Sequence, residues 1–223
     1  MFEGNLIEQL GTQAARKRRP ARRRPRRLRP DQEAALFLSR WLKAPNLIGA
    51  LAPSSRGLSR AMAHEVDPSG TGYIVELGGG TGSITQALLE RGVAPARLVV
   101  IECDRMLAAV LRKRFPGVKV VRGDAADLGS LLHPLAIDCI DAVVSSLPLL
   151  SMPKLLKRRI IAECFGLLGE HGIFVQFTYG VASPLAAPEF GLAGEVAQRV
   201  WRNFPPAAVW RFRRLAAPIA RVA

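Results

Sequence analysis

From residue 73 onward, short apolar runs alternate with amphipathic stretches. The runs 73–77, 98–102, 118–121, 140–145 and 172–178 read as buried strands. Helical spacing falls between them, near 82–90, 104–114, 127–132 and 154–168, with Asp104 as the N-cap of the second helix. After residue 190 the rhythm changes. Residues 195–202 and 208–214 read as two strands joined by a turn at Asn203-Phe204-Pro205-Pro206. Strands alternating with helices call for an α/β fold, a doubly wound and mostly parallel Rossmann-like sheet with helices on both faces. Upstream, Ala34, Ala35, Phe37, Leu38, Trp41 and Leu42 keep helical spacing between the N-cap Asp31 and Pro45. That amphipathic helix either lies in a membrane interface, with Trp41 at headgroup depth beside Lys43, or packs on the domain core.

Charge divides the chain further. The net charge is +14, and residues 1–30 alone hold ten Lys/Arg against two Asp/Glu. Prolines 20, 25 and 30 and mutual repulsion keep residues 16–30 from forming a helix. This tail is either a solvated segment or an electrostatic tether to phosphates, with nucleic acid and anionic membrane as candidate polyanions. The expected organisation is a basic tail over 1–30, the amphipathic helix and a linker over 31–52, one domain over 53–216, and a short tail over 217–223. Hydrophobic residues make up 49% of the 223, enough for a packed core. The three cysteines, Cys103, Cys139 and Cys164, have no paired spacing, which excludes a disulfide scaffold or zinc knuckle and fits a reducing compartment. No metal site is expected. No run reaches the ~20 apolar residues of a membrane span, and residues 1–15 lack the apolar block of a signal peptide.

The strongest chemical signal is Tyr73-Ile-Val-Glu-Leu-Gly-Gly-Gly-Thr-Gly82, a strand running through glycines into a helix. Glycines let the backbone approach a ligand at the carboxyl ends of the strands. The spacing at Gly78, Gly80 and Gly82 is not the dinucleotide G-x-G-x-x-G, because position 83 is Ser. Glu76, two residues ahead, suits a cationic amine better than a pyrophosphate. The segment resembles motif I of the class I S-adenosylmethionine-dependent methyltransferases. Glu102, at the end of the second strand, can accept both ribose hydroxyls. Asp124 follows the third strand, and in that superfamily this acid or the next amide (Ala125) contacts adenine. Each acid alone is an ordinary strand-end carboxylate; together, in order, they form a donor site.

The loop after the fourth strand, Ser145-Ser-Leu-Pro-Leu-Leu150, faces the methyl acceptor in amine methyltransferases. Its polar position is Ser146. Leu149 stands where an aromatic ring often holds a planar base, so a base is a poor substrate. Phe177 and Tyr179 share one face of the fifth strand. They are either core aromatics or rings that hold a choline-like cation.

Several stretches together resemble the short, membrane-peripheral bacterial phospholipid N-methyltransferases: Ala52-Pro-Ser-Ser-Arg56, the glycine loop, Gly123-Asp-Ala-Ala-Asp127, Ser145-Ser-Leu-Pro-Leu-Leu150, Val175-Gln-Phe-Thr-Tyr-Gly180 and Val200-Trp-Arg-Asn-Phe-Pro-Pro206. The resemblance spans residues 33–214. It departs at position 79, Gly where the family often has Pro, and in the Arg-rich extension. It implies conversion of phosphatidylethanolamine to phosphatidylcholine by up to three methyl transfers from S-adenosylmethionine. It also implies an N-terminal helix on anionic phospholipid membrane, placing the protein in the cytoplasm on the inner face of the cell membrane. Ser145 would join the donor site. Ser54 and Ser55 would lie near donor or headgroup. Tyr179 and Ser146 would be the catalytic positions, and Phe177 and Arg202 would help hold the substrate, with Arg211 a second candidate for its phosphate. No obligate protein partner is implied. The rival is an RNA adenine N6-dimethyltransferase, which shares the donor loops and would explain the basic tail; Ser146 and Leu149 speak against it. A non-catalytic adaptor is the third reading, which the intact acidic positions oppose.

Overall fold

The computed structural model describes residues 56–137, 139–179, 181–203 and 205–215. The basic tail, the helix expected over 31–44, and Ser54 and Ser55 lie outside the described residues.

Within them the βα alternation is realised. Helix α1 (Arg56–His64) precedes β1 (Tyr73–Leu77), α2 (Ser83–Glu90), β2 (Leu98–Glu102), α3 (Arg105–Arg114) and β3 (Lys119–Arg122). A short α4 (Leu128–Leu132) leads to β4 (Ile140–Ser145), α5 (Lys154–Leu167) and β5 (Leu168–Tyr179), and β6 (Leu192–Val200) and β7 (Ala207–Arg214) close the order. The seven strands form one sheet in the order β3-β2-β1-β4-β5-β7-β6. All neighbours from β3 to β5 are parallel. The β6–β7 hairpin is antiparallel, β7 pairing with β5 through Tyr179↔Ala207.

The core explains this arrangement. Every residue of β2 is buried, as a parallel strand covered on both faces must be. One core layer joins Val75, Leu77, Val143, Phe174 and Phe212 to α5; the other joins Ile74, Val100, Val144 and Val175 to Leu58 and Met62 of α1 and Leu88 of α2. The chain order reverses direction across the sheet between β1 and β4. A doubly wound sheet opens its ligand crevice at that point, beyond the carboxyl ends of the strands.

The bounds differ from the sequence reading where pairing overrides local composition. Strand β5 starts at Leu168, four residues before the apolar run, because Leu168 pairs with Ile140 and Arg214 donates to the Leu168 and Gly169 carbonyls. Strand β6 starts at Leu192 through Ala193 and Gly194, held by β7 from Arg214 backward. The helix expected over 127–132 divides into a 3-10 turn, Ala125–Asp127, and α4. Asp104 caps α3 as expected, accepting from the Met106 and Leu107 amides at 2.8 and 3.0 Å. No helix among the described residues is long and apolar enough to cross a membrane.

Candidate active site

Five strand ends meet at one edge of the sheet, each register pair placing the next: Ile101 beside Leu77, Leu77 beside Ser145, Ser145 beside Gln176. The loops leaving this edge carry the residues singled out above.

The glycine loop turns on itself, Gly82 N–H donating to the Gly79 carbonyl at 2.8 Å. Gly78, Gly80 and Gly82 all have positive φ, at 78°, 54° and 85°. These two outer glycines are packed: a Cβ at Gly78 would meet the Ser146 hydroxyl, and one at Gly82 would run into the Phe115 ring. Gly80 differs. A Cβ there would find nothing nearer than the Gly78 carbonyl at 3.9 Å, so its open side is room for a ligand.

Beneath the loop, Glu76 is fully buried. Its Oε2 accepts from the Thr85 hydroxyl of α2 at 2.6 Å, and its Oε1 is buried with no partner. Burial pushes this carboxyl up to about 8, against the opposing pull of the Thr85 bond. A buried carboxyl with one orphan oxygen is an incomplete structural unit and a complete half-site for a cation.

Glu102 is also buried, and it does more structural work than the sequence reading gave it. Its Oε2 accepts from Gly80 N–H and its Oε1 from Asp104 N–H, both at 2.8 Å, so it pins the glycine loop to the end of β2. Oε2 keeps a second lone pair for a ligand hydroxyl, while Oε1 also accepts from the Cys103 thiol at 3.6 Å. Burial, and after it the Glu102 carboxylate, push the neighbouring Cys103 thiol up to about 12, which keeps that thiol protonated and unreactive. Asp124 caps the 3-10 turn, its Oδ1 accepting from Ala126 N–H at 2.9 Å, with Ala125 buried between.

The β4 loop is tied down from both sides. The Ser146 hydroxyl donates to the Gly78 carbonyl at 2.6 Å, and Ser145 is buried, its hydroxyl accepting from Leu147 N–H at 3.3 Å. On the other side Gln176 Nε2 donates to the Leu147 and Phe177 carbonyls, both at 3.0 Å. Gln176 and Thr85 were missed in the sequence. The available signal was an amide inside the apolar run of β5 and a hydroxyl on the inner face of α2, both of which need a buried partner.

At the end of β5, Phe177 and Tyr179 lie edge to face with centroids 5.4 Å apart. Phe177 belongs to the core layer under α1, and Tyr179 packs on it half-buried. Burial raises the Tyr179 phenol, and a hydrogen bond with the Asn203 side chain works the other way. Asn203, buried in the β6–β7 turn and bonded to the Pro205 carbonyl at 2.8 Å, was also missed. Arg202 is exposed beside it. Arg211 is not a phosphate ligand in waiting: it pairs with Val175, inside the sheet, and its guanidinium bonds Glu195 at 2.7 Å and Glu65 at 3.1 Å. The three histidines are exposed, and His133 precedes β4 at the opposite edge. Among the described residues no group of His, Cys, Asp and Glu could hold a metal ion.

Comparison with known proteins agrees with this geometry. A methyltransferase-domain family matches residues 74–172. The ornithine lipid N-methyltransferase of Singulisphaera acidiphila is 38% identical over 146 residues, 64% of this chain and 76% of that one. A ribosomal RNA small subunit methyltransferase A of Synechococcus is 35% identical over 91 residues, covering 40% of this chain and 29% of that one. In fold, the 1,6-didemethyltoxoflavin-N1-methyltransferase of Burkholderia thailandensis, solved with S-adenosylhomocysteine, overlays with a TM-score of 0.60 at 16% identity over 86% of this chain and 93% of that one. Sheet order, donor loops and sequence define a class I S-adenosylmethionine-dependent methyltransferase, and S-adenosylmethionine is its methyl donor. Within that class, the chain belongs to the family that includes the Singulisphaera ornithine lipid N-methyltransferase.

Proposed function

We propose that the protein methylates the amine of a membrane lipid, converting phosphatidylethanolamine to phosphatidylcholine by successive transfers. The observation that carries this reading is the acceptor edge. The β4 loop offers no ring to stack a base, since Leu149 is buried in the core, while the Phe177–Tyr179 pair stands at the adjacent strand end. Such an edge suits an ammonium that gains methyl groups, because cation–π attraction tolerates growing bulk and needs no hydrogen-bond donor on the nitrogen. The similarity to an ornithine lipid enzyme, 38% identical over 146 residues, supports a lipid amine; ribosomal RNA enzymes match at lower identity, 35% over 91 residues or 29% over 143.

S-adenosylmethionine supplies a methyl group on a sulfonium sulfur, which a neutral amine nitrogen takes up. The residues around it position and desolvate. Glu76 holds the donor's amine through its free oxygen, Glu102 its ribose hydroxyls, and Asp124 or the Ala125 amide its adenine. Ser145 lines the same side. Ser146 fixes the acceptor loop against the glycine loop. Removing the lipid ammonium from water and placing it beside a cationic donor both lower its pKa, which favours the neutral form that reacts. The Tyr179 hydroxyl orients the nitrogen, Arg202 takes the lipid phosphate, and Ser54 and Ser55 serve donor or headgroup. Proximity and desolvation supply the rate, since no histidine stands at this edge among the described residues.

The test is a headgroup panel. Vesicles of phosphatidylethanolamine or of ornithine lipid, each mixed with anionic phospholipid, are incubated with labelled donor. Mono-, di- and trimethylated phosphatidylethanolamine is the expected product. Label confined to ornithine lipid would replace the headgroup assigned here. In the same assay Tyr179→Phe is expected to lower turnover roughly tenfold, the scale of one lost hydrogen bond, with donor affinity intact.

A further inference from the structure

The edge that carries the donor and acceptor loops also carries most of the unburied apolar surface. Among the described residues eight large hydrophobic side chains are exposed, and five of them follow the carboxyl ends of parallel strands or sit at the hairpin turn beside them: Met106, Leu150, Leu155, Val181 and Trp201. Leu135 and Leu215 lie at the opposite edge, next to the start of β4 and the end of β7.

The hairpin is the most pronounced part. Val200 pairs with Ala207, and Ala207 with Tyr179, so the turn after β6 stands level with the catalytic end of β5, two strand spacings or about 10 Å away. Trp201 is 71% exposed and Val181, after β5, is 79% exposed. Among the described residues Trp201 has no ring or hydrogen-bond partner. Trp210 shows the contrast: it stacks on Phe212 and donates to Thr178. Arg199 and Arg202 flank Trp201, exposed and with no ion pair to a described residue, and no acidic residue occurs from 196 to 207. An unshared indole between two unshared guanidinium groups matches the boundary between acyl chains and phosphates, and it matches a protein partner poorly, since protein partners rarely offer a uniform negative layer over apolar material.

We propose that the β6–β7 turn is a seat for an anionic bilayer, with Trp201 and Val181 entering the interface and Arg199 and Arg202 resting on lipid phosphates. The proposal rests on the lipid-amine reading and adds an orientation to it. The bilayer lies across the mouth of the site, so a headgroup reaches Tyr179 without its lipid leaving the membrane.

The experiment uses the full chain with Trp41 and Trp210 replaced by Phe, leaving Trp201 as the only tryptophan, excited at wavelengths that tyrosine does not absorb, and vesicles containing phosphatidylglycerol with dibrominated acyl chains. Trp201 emission is expected to shift blue and to be quenched at shallow depth. Should Trp210→Phe impair folding, hydrogen exchange on the unmodified chain reads the same contact, as protection of the 196–207 peptide on vesicles. Trp201→Glu is expected to raise the KM for vesicle-embedded phosphatidylethanolamine at least tenfold while leaving turnover on a monomeric short-chain analogue unchanged. Trp201 unquenched and 196–207 unprotected on vesicles that sediment the protein would overturn the seat. So would a blue shift that grows with protein concentration in the absence of vesicles, which would mark a protein contact. Wild-type protein that methylates neither the embedded nor the monomeric lipid would instead remove the lipid-amine reading.

Discussion

Glu76→Ala is expected to weaken donor binding at least about thirtyfold in calorimetry while the protein stays folded. The loss follows from the site: one oxygen of Glu76 is held by Thr85 and the other is buried without a partner, so a bound ammonium completes the set. Removing one partner of a buried charge pair costs about 2–5 kcal/mol. The carboxyl also sets a pH dependence whose sign is fixed. Its folded-state value of about 8 lies above its ordinary 4.5, so the donor-free fold favours the protonated form. That contribution to stability is full below pH 4.5, falls as pH rises, and is lost through about 8. A cationic ligand needs the carboxylate. Donor affinity is therefore expected to climb by up to tenfold per pH unit and to level off above about 8, with proton release on binding below it. Affinity that is flat between pH 6 and 8, with no proton released, would exclude Glu76 as the amine's partner.

The second large effect separates two neighbouring glycines. Gly80→Ala places a methyl group in open space, at a left-handed residue where the strain is about 1 kcal/mol. It is expected to abolish measurable donor binding while thermal stability falls by only a few degrees. Gly82→Ala meets the same backbone strain and also drives its methyl into the Phe115 ring. Overpacking adds about 1–3 kcal/mol, so the melting temperature is expected to fall by roughly 10 °C. Thermal scans and calorimetry on the two variants check the contrast. Equal destabilisation would mean that the space beside Gly80 is not a cradle.

These two residues also show what a sequence can disclose. The glycine spacing and Glu76 were legible because they are local, a strand, a loop and a helix within about ten residues, and Glu102 and Asp124 because each stands at or just after the end of its own short apolar strand. The parallel strands and the Asp104 cap were legible for the same reason. What could not be read depends on partners far along the chain. Ser146 bonds Gly78 across 68 residues and Gln176 bonds Leu147 across 29. Glu102, expected to face a ribose, is also turned toward Gly80 N–H by a loop 22 residues earlier. Arg211 looked available because Glu65, 146 residues away, leaves no local trace. Helix α1 was not drawn from the sequence, although its buried apolar strip and exposed Arg56, Arg60 and His64 keep helical spacing, because it is only nine residues long and has no acid in its first turn. Strand β6 extends through Ala193 and Gly194 for a similar reason, since pairing with β7 outweighs their low strand propensity.

The central claim is that a methyl group passes from the donor held over Glu76 to a lipid amine. Labelled S-adenosylmethionine, offered with phosphatidylethanolamine vesicles in one tube and unmodified ribosomal RNA in another, tests it most directly. Label extracted with the lipid, and none with the RNA, is the expected result; label in the RNA with bare vesicles would contradict it.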